Sequence, residues 1–411
     1  MSELLVHGVT VLDCTGADPV SHLDVLLRDG RIAEIGPARA RGTITTIDAE
    51  GLTLMPGLTD AHVHFAMIGR TGGHGTGSWV SQVLRIKTLI EQALDEGFTT
   101  VRDAGGLEPA YARSVESGEI RGPRVLPSGS VISQTGGHGD MRESFESAHK
   151  GASVPGLVAV AEVVDGVDAM RRATREQLRR GATQIKLFAS GGVLSPTDPF
   201  DSIQFSREEI AAAVDVARSW DTYVLAHCHT SPAMNNALDA GVRSIEHGSL
   251  MDAETAERIA LIGAFVVPTL LILEQLVALP DDAGLTEAQR AKLRAVETEV
   301  GNSIRTMRDA GVKIGSGSDI VGLTQASRAR ELVLKGRILG AHAAILSATS
   351  VNAELFGLED RIGTVEVGKD ADLILVDGQP LDDVGVLADS ERIRLVMRRG
   401  AVVKDLDSRL G

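Results

Sequence analysis

The sequence predicts an α/β protein: a (β/α)8 barrel together with a small discontinuous β-sandwich built from both chain ends. Two observations lead to this prediction. After Pro56, strand-like and helix-like segments alternate, and eight strand candidates over roughly 300 residues are typical of a closed parallel barrel. The chain ends instead contain short strands and turns without a helical period. The predicted boundaries are 1–56 and 361–411 for the sandwich and 57–360 for the barrel.

The sandwich strands are predicted from both ends of the chain. The N-terminal candidates are residues 4–12, 23–28, 31–35 and 43–48, with Asp29-Gly30 as a hairpin turn signal. At the other end, residues 363–377 are predicted to form two strands around a turn, and 394–398 and 401–404 two more. We expect both ends to pair into one unit. The alternative is two separate short sheets, which would be marginally stable alone.

The barrel elements are predicted from apolar periodicity. After the strand that ends at His64, the strand candidates are 98–103, 124–132, 184–189, 222–227, 242–247, 264–270 and 312–316. Helical patterns cover 161–181, 207–220, 231–241 and 287–310, and between Trp79 and Ala93 apolar residues recur at spacings of three and four.

Composition excludes some classes of partner. The net charge of −15 argues against a nucleic-acid partner and against binding an anionic membrane. The longest apolar run, near residues 264–273, is too short to span a membrane, and the first residues show no signal-peptide pattern. Cys14 and Cys228 are far apart and are not expected to pair, which predicts a cytoplasmic location. Cys228 is expected to be a small apolar filler.

Two histidines at the end of the first barrel strand suggest a metal site. Alternate side chains of a strand point to the same face, so His62 and His64 project together and Val63 projects away. Two neutral imidazoles that converge on one point make half of a metal site. The alternative is a pair of histidines on an ordinary strand.

Further titratable residues lie at the C-terminal ends of later strands, where barrels of this class gather their active sites. They are Lys186 on the fourth strand, His227 and His229 on the fifth, His247 on the sixth and Asp319 on the eighth. Each has another reading: Lys186 could pair with a carboxylate, His247 could cap a turn, and Asp319 could cap a helix. With the first-strand pair, however, five of the 11 histidines lie at these strand ends, which core packing does not explain.

This combination resembles the amidohydrolase superfamily of metal-dependent hydrolases. The resemblance is carried by Pro-Gly-x-x-Asp-x-His-x-His, the fourth-strand lysine, Ile-Glu-His-Gly, the eighth-strand aspartate and the closing Gly-Lys-Asp-Ala-Asp-Leu. It implies a centre of two divalent metal ions, usually zinc, although imidazoles and a carboxylate also suit manganese, iron or cobalt. The implied ligands are His62, His64 and Asp319 for one ion, His227 and His247 for the other, and carboxylated Lys186 as the bridge.

The residue types fit that chemistry. An ammonium has no lone pair, so Lys186 can ligate a cation only after it becomes an anionic carbamate. Two ions that share a water lower its pKa, and one of them polarises the scissile carbonyl. Asp319 would act as general base and acid, taking the proton of the attacking water and returning it to the leaving amine.

Within the superfamily, the sequence is similar to the prolidase and Xaa-Lys/Arg carboxypeptidase-like branch and to ochratoxin-degrading amidohydrolases. The stretches are 98–103, 133–140 and 226–248. The resemblance implies a homo-oligomer that cleaves the amide or peptide bond of a small-molecule substrate, a dipeptide or an N-acyl amino acid. The alternatives are a cyclic amide, a xenobiotic amide or thiocarbamate, and a non-catalytic protein on the same fold.

Two more histidines are candidates for substrate binding. His229 shares a face with His227 and stands where some relatives have a tyrosine that holds the substrate carboxylate, so it is expected to contact substrate or to support a ligand. His138 follows the third strand in a Gly-rich loop and could donate a hydrogen bond to the developing oxyanion. The alternative for His138 is a solvated loop histidine. His74 is a weaker candidate of the same kind.

Overall fold

The computed structural model describes residues 3–37, 44–69, 77–142, 159–195, 198–322, 325 and 327–409. Its strands are β1 (Glu3–Val11), β2 (Val20–Arg28), β3 (Arg31–Pro37), β4 (Thr45–Asp48), β5 (Thr53–Pro56), β6 (Leu58–Val63), β7 (Phe98–Asp103), β8 (Arg124–Pro127), β9 (Val131–Ser133), β10 (Ala161–Val163), β11 (Ile185–Phe188), β12 (Val224–Thr230), β13 (Ser244–Leu250), β14 (Phe265–Val267), β15 (Lys313–Ile314), β16 (Leu373–Val376), β17 (Ile393–Arg398) and β18 (Ala401–Asp405). Its helices are α1 (Trp79–Asp95), α2 (Ala110–Glu116), α3 (Val167–Arg180), α4 (Arg207–Arg218), α5 (Ser231–Asp239), α6 (Ala253–Ile262), α7 (Leu270–Val277), α8 (Glu287–Asp309), α9 (Arg330–Leu339), α10 (Ala341–Ser347) and α11 (Ser350–Phe356), with a 3₁₀ turn at Val384–Ala388.

The central strands form a parallel barrel. They pair in the orders β6-β7-β8 and β10-β9-β11-β12-β13-β14-β15. Two backbone hydrogen bonds connect these sheets into a ring: Thr183 N–H donates to the Pro127 carbonyl at 2.8 Å, and Ala61 N–H donates to the Ser316 carbonyl at 2.8 Å. The predicted (β/α)8 fold class is therefore confirmed. Among the described residues, no helix has both the length and the apolarity that crossing a membrane requires.

Both chain ends contribute to a single mixed sheet. Its order is β18-β17-β16-β5-β1-β2-β3, with β4 also paired to β1. The two ends meet where β5 runs antiparallel to β16, with Leu54 opposite Leu375. The sheet curls over its own apolar core, since Ile32 N–H on β3 donates to the Lys369 carbonyl just before β16 at 2.9 Å. The alternative of two separate sheets is wrong.

Helices cover the barrel, and α1, α4, α6 and α8 each begin at a residue whose side chain accepts a hydrogen bond from a backbone N–H of the first turn. The α4 helix starts with a capping box, in which Ser206 accepts from the Glu209 N–H and the Glu209 side chain accepts from the Ser206 N–H. The α8 helix starts with the same arrangement between Thr286 and Gln289. These caps satisfy backbone donors at positions that face the mouth of the barrel.

Several predicted boundaries differ from the structure, each for a local reason. The predicted strand 124–132 is two strands, because Gly129 turns the chain at a φ of +71°. The predicted helix 161–181 begins as β10, which the apolar period alone could not distinguish from the first turn of a helix. The predicted strand 264–270 is the three-residue strand β14, which ends at Val267 because Pro268 follows, and α7 begins at Leu270. The tail 363–377 contains one strand, β16, rather than two.

Candidate active site

The C-terminal ends of the barrel strands open into one cavity of about 490 Å³. All eight candidate residues that lie in the described part of the chain line it: His62, His64, His138, Lys186, His227, His229, His247 and Asp319. His74 lies outside the described residues. Cys228 is buried in the apolar cluster between strands and helices, as expected of a filler.

The innermost group consists of His62, His64 and Asp319, whose ligand-type atoms lie within 4.8 Å of one another. The two Nε2 atoms are 3.2 Å apart. Asp319 Oδ1 lies 3.2 Å from His64 Nε2 and 3.6 Å from His62 Nε2. Three potential donors of lone pairs thus converge on one point, as a metal site requires.

The other ring nitrogens determine where the protons lie. His62 Nδ1 is 2.6 Å from Glu246 Oε2, and His64 Nδ1 is 2.8 Å from the Gly105 carbonyl oxygen. Both partners can only accept, so both Nδ1 atoms carry the proton and the two Nε2 lone pairs face each other. Such a contact requires a cation or a further proton between the rings. The residues present therefore fit a metal ion.

The pKa values of the two rings reflect the same contact. Burial, and then the Lys186 ammonium, lower the pKa of His62 to about 4. Burial alone would lower the pKa of His64, but the hydrogen bond to Asp319 and its charge outweigh burial and raise it.

A buried ion pair between Glu246 and Arg102 holds the His62 ring in position. Glu246 bonds His62 on one side and Arg102 Nη2 on the other, at 2.8 Å, and both charged side chains are fully buried. Arg102 Nε also donates to the Ala61 carbonyl at 2.6 Å. Burial would raise the pKa of Glu246, but the charge of Arg102 and the hydrogen bond from His62 hold it well below its usual range. Glu246 is therefore an ionised acceptor that orients the His62 ring.

A second carboxylate holds the eighth-strand loop against the first strand. Asp60 accepts from the backbone N–H groups of His62 and Ser318, each at 3.0 Å. Asp319 N–H donates to the His62 carbonyl at 2.7 Å. Gly317 permits this approach, because a Cβ there would lie 2.4 Å from His62 Cβ. Asp319 itself has a φ of +54°, the kind of backbone strain that concentrates at functional sites.

Lys186, His227 and His247 border this inner group. Lys186 Nζ lies 3.5 Å from His62 Nε2, and burial lowers its pKa to about 8. The ring centroids of His227 and His247 are 4.4 Å apart. Burial, followed by the neighbouring histidines, holds the pKa of both rings well below its usual range, so both are neutral and able to ligate. His247 Nδ1 lies 2.8 Å from Thr269 Oγ1.

His229 is stacked between two rings. Its centroid lies 4.8 Å from Phe200 and 5.0 Å from His247, and its Nδ1 is 3.0 Å from Ser249 Oγ. Burial lowers the pKa of His229 to about 3, so the ring is neutral. A neutral imidazole can exchange hydrogen bonds with a substrate, but it cannot offer a carboxylate a full positive charge.

His138 stacks directly on His227, with ring centroids 4.6 Å apart and an angle of 25° between the ring planes. Its backbone N–H donates to Gln204 Oε1 at 2.9 Å. Its Nδ1 is buried and has no hydrogen-bond partner within the described part of the chain. Gly192 packs against the ring, since a Cβ there would lie 2.2 Å from it. His138 is therefore a fixed wall of the cavity rather than a solvated loop residue.

Sequence reasoning did not identify the supporting residues Arg102, Glu246, Thr269 and Ser249. One signal was available: Arg102 and Glu246 each stand inside a strand predicted to be buried, and opposite charges in such places are normally paired. The hydrogen-bonding hydroxyls of Thr269 and Ser249 have no comparable sequence signal.

The fold is a parallel barrel, and the residues at its strand ends include a His62, His64 and Asp319 group that could hold a metal ion. The profile of the Amidohydrolase family matches residues 53–403, and the chain belongs to this family. It is 33% identical to an ochratoxinase of Aspergillus niger over 366 residues, which are 85% of this chain and 75% of that protein. The chain is a hydrolase that acts on amide bonds, in the branch that contains prolidases and ochratoxinase.

Solved structures show the same likeness over nearly the full length. A prolidase complexed with N-methylphosphonate-L-proline is 38% identical with a TM-score of 0.93, covering 98% of this chain and all of that one. A Xaa-Pro dipeptidase with bound methionine in the active site is 30% identical with a TM-score of 0.88, again covering 98% of this chain and all of that one.

Proposed function

We propose that this chain is a binuclear metal-dependent amidohydrolase that cleaves the amide or peptide bond of dipeptides or N-acyl amino acids. The observation that carries the proposal is the pair of facing Nε2 lone pairs of His62 and His64 beside Asp319, at the base of a cavity. Two similar proteins, the prolidase and the dipeptidase, support the choice of dipeptides.

In this proposal His62, His64 and Asp319 would hold one ion, His227 and His247 would hold the other, and Lys186, once carboxylated, would be the bridging ligand. When bound, the ions, which we propose are zinc, supply a Lewis acid for the scissile carbonyl and make a shared water acidic. The lowered pKa of Lys186 supports the bridge, because it raises the fraction of neutral amine that can react with carbon dioxide.

The remaining steps belong to the protein's own side chains. Burial would raise the pKa of Asp319, but the neighbouring His62 and His64 hold it below its usual range, so the carboxylate is ionised. It takes the proton of the attacking water and delivers it to the leaving amine. His138 donates a ring N–H to the developing oxyanion, and His229 contacts the substrate beside it.

The test is metal content combined with a substrate library. Purified protein supplied with zinc should contain close to two ions per chain and should hydrolyse members of a panel of dipeptides and N-acetyl amino acids. Lys186→Ala should lose metal and activity, whereas Lys313→Ala, which removes an exposed lysine, should keep both. One ion or none in wild-type protein, or full activity of Lys186→Ala, would contradict the binuclear mechanism.

A second candidate function is hydrolysis of a cyclic amide, a thiocarbamate or a xenobiotic amide of the ochratoxin type at the same site. Two observations support this second candidate: the walls of the cavity are apolar, and the chain is 33% identical to an ochratoxinase. Turnover of such amides without turnover of any dipeptide or N-acyl amino acid would select this alternative.

We further propose the division into residues 1–56, 57–360 and 361–411, a cytoplasmic location and a homo-oligomeric state. Both cysteines are buried free thiols, which suits a reducing compartment. Light scattering of the purified protein would measure the number of subunits.

A further inference from the structure

We infer that the outer half of the cavity is an apolar subsite that selects amides with a bulky aliphatic or aromatic group beside the scissile bond. The inference rests on the proposed function for the reaction, but on different residues for the selection. The histidines, Lys186 and Asp319 line the cavity from the barrel strands and the loops that follow them, whereas the residues of the subsite line it from two helices and a loop outside the barrel strands.

Three segments supply the walls of this apolar subsite. They are α7, α8 and the loop between β11 and α4, through the side chains Ile272, Leu276, Val296, Val300, Val193 and Leu194. These residues belong to an apolar cluster that is separate from the cluster packed around the barrel strands. Each of them also borders the open cavity, so the cluster leaves room for a ligand between its segments.

A lysine clamp, formed by Lys292 of α8, holds the loop between β11 and α4 in place as one wall of the subsite. Lys292 on α8 extends its ammonium to the loop after β11 and donates to the carbonyls of Gly192 at 3.1 Å and Asp198 at 2.8 Å. The buried Asp198 carboxylate accepts from Gly192 N–H at 3.2 Å and from Gln204 Nε2 at 2.9 Å. Val193 and Leu194 are therefore fixed against the helix that carries Val296 and Val300.

The wall formed by α7 is held in place by α9. Glu331 on α9 accepts from the Leu271 N–H at 2.7 Å, at the first turn of α7. Lys335, one turn further along α9, lies 3.3 Å from the same carboxyl group. Because α7 and the loop are both tied to neighbouring helices, the apolar subsite exists before substrate arrives. A pre-formed subsite does not lose binding energy to ordering its own walls.

The contrast between the two ends of the cavity indicates which substrate group each end receives. Among the described residues of the lining, the only ammonium or guanidinium is that of Lys186, at the inner end. Water in a subsite lined by valine, leucine and isoleucine has few hydrogen-bond partners, so an apolar group gains free energy by replacing it. The volume of about 490 Å³ is within the range of cavities that hold drug-sized ligands.

The first test is a chain-length series on zinc-loaded enzyme. We expect kcat/KM to rise by about fourfold for each added methylene, from N-acetyl- to N-octanoyl-L-alanine or from N-acetyl-L-alanine to longer and aromatic N-acetyl amino acids. A flat profile in both series, with acetyl-alanine hydrolysed normally, would overturn the apolar subsite and leave the proposed function intact.

Variants of α8 localise the effect. Val296→Phe should fill the subsite and reduce kcat/KM for the best long substrate at least about tenfold more than it reduces kcat/KM for N-acetyl-L-alanine. Val300→Thr keeps nearly the same side-chain shape and is therefore expected to fold even if Val296→Phe does not. Because it places a hydroxyl group in the apolar subsite, it should reduce turnover of the long substrate about fivefold. The matched control is Glu297→Ala, on the exposed face of the same helix. Equal losses for long and short substrates would contradict the assignment.

Binding can be measured without turnover. Calorimetric titration of zinc-loaded protein with octanoate and butanoate should give about 250-fold tighter binding of octanoate, at about fourfold for each of four methylenes, and Val296→Phe should remove most of the difference. If no amide is hydrolysed but this preference stands, the proposed function fails and the apolar subsite is supported. If both acids bind equally, the subsite is wrong whatever the enzyme hydrolyses.

Discussion

Replacing Glu246 by glutamine should damage both the stability of the barrel and its affinity for metal. The change keeps the size of the side chain and removes its charge. Arg102, fully buried and 2.8 Å away, then loses the only full negative charge it contacts among the described residues. At an effective dielectric constant of about 20, such a pair is worth about 4 kcal/mol, and breaking buried pairs costs about 3–5 kcal/mol.

The metal affinity should fall because His62 loses its charged acceptor. The Glu246 carboxylate lies 2.6 Å from His62 Nδ1 and keeps the proton on that atom, so that Nε2 remains free to ligate. Loss of such a supporting carboxylate typically costs about 10- to 100-fold in metal affinity. Zinc affinity would be measured by competition with a chelator, and the free energy of unfolding by urea denaturation of the metal-free protein.

Two further variants separate these effects. Glu354→Gln breaks an exposed pair with Lys313 and should cost at most about 1 kcal/mol, with zinc affinity unchanged. The double variant Arg102→Met/Glu246→Leu should regain much of the lost stability, because it removes both buried charges, but not the lost zinc affinity. If Glu246→Gln behaves like Glu354→Gln in both assays, the reasoning about the buried pair is refuted.

Three more predictions address the supports of the site. Gly317→Ala should displace His62, lower the affinity for zinc and reduce the free energy of unfolding by about 1–3 kcal/mol. The control Gly36→Ala lies at a position with open space and should change neither the zinc affinity nor the stability. Chelator competition measures the zinc affinity, and urea denaturation measures the stability. Lys292→Met should raise KM for bulky apolar substrates more than it lowers kcat, in steady-state kinetics; equal effects on bulky and small substrates would contradict the clamp. Burial raises the pKa of Glu331 to about 7 from 4.5, so the stability it contributes is present below pH 4.5 and is lost as the pH rises through 7. In the wild-type protein, the free energy of unfolding measured by urea denaturation should fall by up to about 3 kcal/mol between pH 4.5 and 8. Glu331→Gln should remove most of this pH dependence, and a variant with the wild-type pH profile would contradict the prediction.

The inner residues of the site could be predicted because their signal is local. The period of two places His62 and His64 on one face of a strand, and in a parallel barrel the ends of all strands meet at one mouth. Lys186, His227, His247 and Asp319 could therefore be assigned to one cavity without knowing any distance between them.

The supporting contacts could not be predicted in the same way. Lys292 occupies a polar position in an amphipathic helix, and its partners lie in an irregular loop about a hundred residues earlier in the chain. The backbone of such a loop has no periodicity that indicates where its carbonyls point. The short β10 was missed for a related reason, since three residues are too few for a strand period to be distinguished from the start of a helix.

The pairing of β5 with β16 has a consequence for the newborn chain. More than 300 residues separate the two strands, and a ribosome adds about 5–20 residues per second, so β5 waits roughly 15–60 s for its neighbour. During that interval β5, whose four residues Thr53–Pro56 are all buried in the finished fold, has one open edge. Completion of the mixed sheet beside the barrel therefore waits for β16, and a chaperone that shields the β5 edge during synthesis should raise the yield of folded protein.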